Sequence, residues 1–209
     1  MRKTIYLIRH GQTDYNKKGI VQGSGIDASL NDLGRQQAEA FYDAYRNMPF
    51  DKIYISALKR TKESVTQFIA DGMPFEAMAG LNEISWGNSE GTEFTSENNT
   101  LYQKLVNDWL AGNTHLAVEG GESPEDVMTR QKEAMEFILQ QPNEKNILIC
   151  MHGRAIRILL CWLSERPLSC MDDYQHDNLG LYVLHYENKK IEIVTSNDLK
   201  HLLHLKEDS

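Results

Sequence analysis

Two stretches decide the reading of this chain: Thr4-Ile5-Tyr6-Leu7-Ile8-Arg9-His10-Gly11 and Asn146-Ile147-Leu148-Ile149-Cys150-Met151-His152-Gly153. Each is a short apolar run that stops abruptly at His-Gly. Continuous apolar runs of this length, rather than alternating ones, are expected of strands buried on both faces, as in a parallel sheet covered by helices. In an open α/β sheet, ligands bind at the carboxyl ends of the strands. Both histidines therefore fall at the edge where chemistry is expected, each beside a glycine that lets a ligand approach the backbone closely.

Working outward, the spacing predicts a helix from about Asn31 to Arg46, with Leu33, Ala38, Phe41 and Tyr45 near one face. Lys52–Ile55 reads as a short strand, Leu58–Ile69 as a helix and Phe75–Ala79 as a further strand. Trp86–Asn99, rich in Gly, Asn, Ser and Thr, reads as a loop, and helical spacing returns over Leu101–Leu110. Ser123-Pro124-Glu125-Asp126 is a helix start: an N-cap hydroxyl, a proline pre-shaped for the first turn and two carboxylates at the positive end of the dipole. That helix is expected to end near Gln141, before Pro142. After the second apolar run a helix spans about Arg154–Leu163, and Leu181–Tyr186 and Lys190–Thr195 form two strands joined by a turn. Strands alternating with helices imply an α/β fold, with a mainly parallel sheet and helices on both faces. The expected organisation is a single domain over 1–209, with 86–121 as a cap or insertion.

Composition removes several function classes. The chain has 209 residues, 22 Lys+Arg and 30 Asp+Glu, for a net charge of −8. Hydrophobic residues make up 41% and charged residues 25%, so a globally disordered chain is not expected. An acidic chain of this kind lacks the basic surface of a nucleic-acid-binding protein. The apolar run after Met1-Arg2-Lys3-Thr4 is too short for a signal peptide, and Ala155–Leu163 is too short, and interrupted by Arg157, to span a bilayer. Cys150, Cys161 and Cys170 are odd in number and lack metal-ligand spacing, which suits reduced thiols in a cytoplasmic protein.

The residues gathered at the predicted sheet edge have a common chemistry. Arg9 adjoins His10, and the strand ending near Ile55 leads through Ser56-Ala57-Leu58-Lys59 to Arg60. Two arginines and two histidines, in a chain of net charge −8, suit a phosphoryl group. Arginine binds phosphate oxygens bidentately, each charge-assisted hydrogen bond contributing about 1.5–3 kcal/mol. A neutral histidine is a competent nucleophile, and nearby cations keep it neutral. Glu83, just after a predicted strand, is placed to protonate a leaving alkoxide and then to activate water, with a pKa expected to rise beside a bound phosphate.

These residues also resemble a known family. Leu7-Ile8-Arg9-His10-Gly11-Gln12-Thr13, followed by Asn16, is similar to the signature of the histidine phosphatase superfamily, also called phosphoglycerate mutase-like. Ser56-x-Leu58-x-Arg60-Thr61 resembles its second arginine motif, and Glu83-x-x-x-Gly87-x-x-Glu90-Gly91 its acid motif. Gly120-Gly121-Glu122-Ser123 and His152-Gly153 are similar to two later motifs. The resemblance implies a three-layer α/β/α sandwich, a phosphohistidine formed on His10, and a phosphate pocket of Arg9, Arg60 and His152, with a hydrogen bond from Asn16. It implies Glu83 as proton donor and no metal or other cofactor. Two positions depart from the pattern: Arg154 stands where many members have a small or apolar residue, and Asn178-Leu179-Gly180 replaces an Asn-small-Ser pattern. Both lie on the substrate side of the pocket.

Plainer readings exist for several of these residues. Arg60 fits an exposed helix position, Glu83 a loop cap, Asn16 a turn, and Gln22-Gly23 either a pocket entrance or a turn. The expected activity is hydrolysis of a phosphomonoester, with a phosphoglycerate mutase as the alternative. A metal hydrolase lacks its ligand clusters, and a non-catalytic phosphoprotein-binding module leaves the acid and nucleophile unused. The expected partner is a phosphorylated small molecule. The hairpin near Leu181–Thr195 offers an edge on which a homodimer can form.

Overall fold

A computed structural model describes residues 2–93 and 96–206, without the side chains of 96–99 and 206. Its centre is a six-stranded sheet: β1 (Arg2–Arg9), β2 (Lys52–Ile55), β3 (Phe75–Ala77), β4 (Asn146–Met151), β5 (Leu181–Glu187) and β6 (Lys190–Asp198), in the order β3-β2-β4-β1-β5-β6. Strands β3, β2, β4 and β1 are mutually parallel, and the β5–β6 hairpin is added antiparallel to β1. The two decisive runs are neighbours in register, Ile5 beside Ile147 and Arg9 beside Met151. Both are buried on both faces, as their unbroken apolar sequences require.

The helices are α1 (Asp14–Lys18), α2 (Asp32–Tyr45), α3 (Lys59–Ser64), α4 (Thr66–Ala70), α5 (Ser96–Leu110), α6 (Pro124–Gln140) and α7 (Gly153–Leu163). Alternate residues of β1 and β4 face opposite cores. Ile5, Leu7, Ile147 and Ile149 pack with Met135 and Ile138 of α6 and Ile156 and Leu159 of α7. Ile8, Leu148 and Cys150 pack with Phe41 of α2 and Phe68 of α4. The result is a three-layer α/β/α sandwich. A third cluster joins α5 to α7 through Trp109, Val106, Ile158 and Cys161.

Departures from the sequence reading have local causes. The expected helix over 58–69 is broken at Val65 (φ −123°, ψ 16°). Thr61, Ser64 and Thr66 each bond a carbonyl three or four residues back, which bends helices, while Val65 turns into the core. Helix α5 begins at Ser96, inside the stretch read as a loop, because Ser96-Glu97-Asn98-Asn99 carries no apolar residue to reveal it. Part of that stretch, 94–95, lies outside the described residues. Helix α1 was not expected in the polar loop; Thr13 and Asn16 close a capping box around its first turn. Among the described residues no helix is long and apolar enough to cross a membrane, and the three cysteines are free thiols.

Candidate active site

The carboxyl ends of three adjacent strands build the site. Strand β2 delivers Ser56, β4 delivers His152 and β1 delivers His10. The pairing continues past the strands, with Ser56 N–H donating to Cys150 O (3.3 Å) and His10 N–H to Met151 O (3.0 Å). The imidazoles of His10 and His152 lie 5.1 Å apart between ring centroids, close to the spacing of neighbouring strands, about 4.8 Å.

Hydrogen bonding fixes both rings. His10 Nδ1 lies 2.7 Å from Gly11 O. A carbonyl only accepts, so Nδ1 carries the proton and Nε2 keeps its lone pair. His152 is held the other way round: Arg60 Nε donates to Nδ1 (3.2 Å), so the proton sits on Nε2, which donates to Ser56 Oγ (2.8 Å). Burial pushes the pKa of His10 well below 6.5, and Arg60 and Arg9 push it further. His152 is lowered likewise by burial, Arg60, His10 and Arg9. Both rings are neutral at physiological pH.

The arginines are held rigidly. Arg60 is fully buried and donates to Ile26 O (2.6 Å) and Gly23 O (3.2 Å) as well as to His152. Burial lowers its pKa to about 10, so it stays charged. Arg9 donates through one terminal nitrogen to His176 O (3.1 Å) and faces His176 Nδ1 (3.3 Å), while its Nε is buried without a partner. Glu83 sits on the N-terminus of α7. Its carboxylate accepts from the N–H groups of Arg154 (3.1 Å) and Ala155 (2.9 Å), and from its own neighbour Ile84 (2.9 Å), where the helix dipole favours an anion. Arg9, Glu83, Gln22, Gly153 and His176 line a cavity of about 220 Å³. His10, Arg60 and His152 are buried and are not among its lining residues; the two histidines connect to it through their chain neighbours Arg9 and Gly153.

The plainer readings hold in part. Arg60 is no exposed helix residue. Asn16 does cap a turn: its Oδ1 accepts from Thr13 N–H (3.2 Å), which leaves its Nδ2 for other contacts. Gln22 lines the cavity; its Oε1 accepts from Thr13 Oγ1 (2.8 Å) and its Nε2 is a buried donor without a partner. The glycines serve packing more than ligand approach. A Cβ on Gly11 would lie 2.5 Å from Gly34 O, and one on Gly153 would lie 2.7 Å from the His176 ring. A Cβ on Gly23 would lie 2.2 Å from the carboxylate of Glu90.

Several residues at the site were given no role in the sequence reading, Asn178 being noted there only as part of a departure from the family pattern. Asn178 donates to His10 O (2.8 Å) and faces Asn16 Oδ1 (3.4 Å). Arg130 clamps the loop carrying Glu83: it donates to the carbonyls of Gly80 (3.0 Å), Asn82 (2.9 Å) and Glu83 (3.0 Å), and its Nε and NH2 donate to Glu122. His176, buried beside Arg9, has its pKa pushed down to about 2 by burial and by Arg9, Arg157 and Arg154. None has a local signature, since each acts across a long sequence separation. At the departure noted for position 154, the backbone N–H serves Glu83, while the side chain ties Asp172 (2.6 Å) to the Tyr102 hydroxyl (2.9 Å). Among the described residues no group of three or more His, Cys, Asp or Glu side chains is gathered to hold a metal ion.

Comparison with known proteins agrees with the fold and identifies the family. The family model described as histidine phosphatase superfamily (branch 1) matches residues 5–199. A putative phosphoserine phosphatase 2 of Hydrogenobacter thermophilus is 30% identical over 200 residues, covering 95% of this chain and 97% of the relative. A broad-specificity phosphatase of Saccharomyces cerevisiae is 32% identical over 168 residues, covering 76% of this chain and 69% of the relative. Among solved structures, a putative α-ribazole-5′-phosphate phosphatase of Escherichia coli superposes with a TM-score of 0.83 at 22% identity, covering 94% of this chain and 96% of that one. With the family model matching nearly the whole chain, this protein belongs to the histidine phosphatase superfamily, branch 1.

Proposed function

We propose that the protein is a phosphomonoesterase acting on a phosphorylated small molecule through a phosphohistidine on His10. The observation that carries this reading is the tautomer of His10: with its proton fixed on Nδ1 by Gly11 O, the ring presents a neutral Nε2 lone pair between two cationic arginines. Nε2 attacks phosphorus as the ester oxygen departs, and Arg9 and Arg60 hold the charge spread over the non-bridging oxygens. The orphan donors of Arg9 Nε and Gln22 Nε2 are available to the same oxygens. Glu83 takes up a proton when the negatively charged phosphate binds beside it and passes that proton to the departing alkoxide. It then takes a proton from the water that attacks the phosphohistidine, releasing inorganic phosphate. His152 orients Arg60 and polarises the pocket without being consumed. The chemistry uses no metal or cofactor, and the names of the relatives support hydrolysis. Segment 86–121 acts as a cap within one domain, since Trp86 and Tyr102 reach the cavity wall.

The test is release of phosphate from p-nitrophenyl phosphate, with and without EDTA, by the wild type and His10→Ala. Turnover is expected to be chelator-insensitive and to vanish in the variant; retained activity in His10→Ala would refute the assignment. With 3-phosphoglycerate, free phosphate rather than the 2-isomer is the expected product, and rapid isomerisation would transfer the assignment to a mutase.

A further inference from the structure

A second cavity, of about 260 Å³, adjoins the first. Val21, Trp86 and Tyr102 line both, so the two share a wall. The remainder of the second cavity is formed by Leu101, Leu105, Ala117 and Val118 with the small hydroxyl residues Ser89 and Thr92, and among the described residues no charged side chain lines it. Leu101 is 63% exposed, so this wall of the cavity opens to solvent. Arg154, which lines the first cavity, is already committed: it donates to Asp172 and to the Tyr102 hydroxyl, and stacks over Trp109 at 5.4 Å. It braces Tyr102 rather than offering its charge to a ligand.

Resting on the phosphatase reading, we propose that this chamber receives the non-phosphate body of the substrate, and that the preferred substrate is the phosphate monoester of an alcohol bearing a ring-sized apolar group. The volume bears on the size. A cavity of about 150 Å³ lined by apolar side chains holds one benzene, so 260 Å³ admits more than a single ring. Trp86 and Tyr102, with ring centroids 5.4 Å apart, provide the faces against which a flat group packs. A carboxylate or second phosphate in this chamber would lose water and meet no cation among the described lining residues, only the neutral hydroxyl residues Ser89, Thr92 and Tyr102, which disfavours small doubly anionic esters.

The experiment compares kcat/KM for ethyl phosphate, 2-phenylethyl phosphate, 2-(1-naphthyl)ethyl phosphate and O-phosphoserine. All release a primary alkoxide, so leaving-group chemistry is held nearly constant. Hydrophobic pockets discriminate by about tenfold or more per well-buried increment, so the naphthylethyl ester is expected to exceed ethyl phosphate by at least about tenfold. Leu105→Asp is expected to collapse that ratio, and so is Leu101→Asp, which is a safe folding control because residue 101 is exposed. A flat series, a preference for O-phosphoserine, or an unchanged ratio in both variants would overturn the proposal while leaving the phosphatase reading intact. Failure to release phosphate from any of the esters would overturn both.

Discussion

At the residue scale, the proposed chemistry depends on where two protons sit. His10 and His152 are paired in opposite senses, Nδ1–H to a carbonyl in one and Nε2–H to a hydroxyl in the other. Long-range ¹H–¹⁵N spectra are expected to show both rings neutral at pH 5.5 with these opposite tautomers; a charged His10 signal at that pH would contradict the structure. Arg130 makes a separate prediction. Its removal in Arg130→Met unties the loop around Glu83, and displacing a catalytic group by about 1 Å costs on the order of a hundredfold in rate. Steady-state kinetics should show the loss in kcat more than in KM, with the His10 spectrum unchanged. His10, Arg9, Arg60, Glu83 and His152 were legible in the sequence because each sits at the end of a readable element. The roles of Arg130, Asn178 and His176 were not, because the residues they hold, Glu83, His10 and Arg9, lie 47, 168 and 167 residues away in the chain.

At the element scale, caps and close approaches decide where side chains point. Ser123 starts α6 with a reciprocal capping box to Asp126, and Ser123→Ala is expected to cost about 1 kcal/mol in urea unfolding. Gly153 occupies the first turn of α7 with helical backbone, so alanine there is resisted only by the His176 ring. Gly153→Ala is expected to displace that ring, loosen Arg9 and cost about 1–3 kcal/mol; unfolding and activity measured together would test it, and an unaffected variant would mean that the ring moves freely. The strands and the long helices α2, α6 and α7 could be read from periodicity and caps. What could not be read were places where side chains bond their own backbone, as in the break at Val65, or where a helix begins in polar residues, as at Ser96.

For the whole molecule, burying neutral histidines links stability to acidity. The folded-state pKa values of His10 and His152 lie below the unfolded value of 6.5, so below 6.5 the unfolded chain binds protons that the folded one refuses. Stability is therefore unaffected above that pH and falls as the pH drops through it. His176, pushed down to about 2, adds to the same loss, and each neutral ring removes on the order of 1 kcal/mol by pH 5.5. Denaturant midpoints at pH 7.5 and 5.5 should differ accordingly, and His152→Asn should narrow the gap. The sheet order bears on the reactive pair itself. Because β1 and β4 are central neighbours in register, the gap between the imidazoles is set by the hydrogen-bonded ladder and not by any loop. The two rings are marks on one ruler. Surface loops and even the covering helices are free to drift over many generations of substitution, while a one-residue slip in either central strand would turn one mark to the opposite face and erase the measurement.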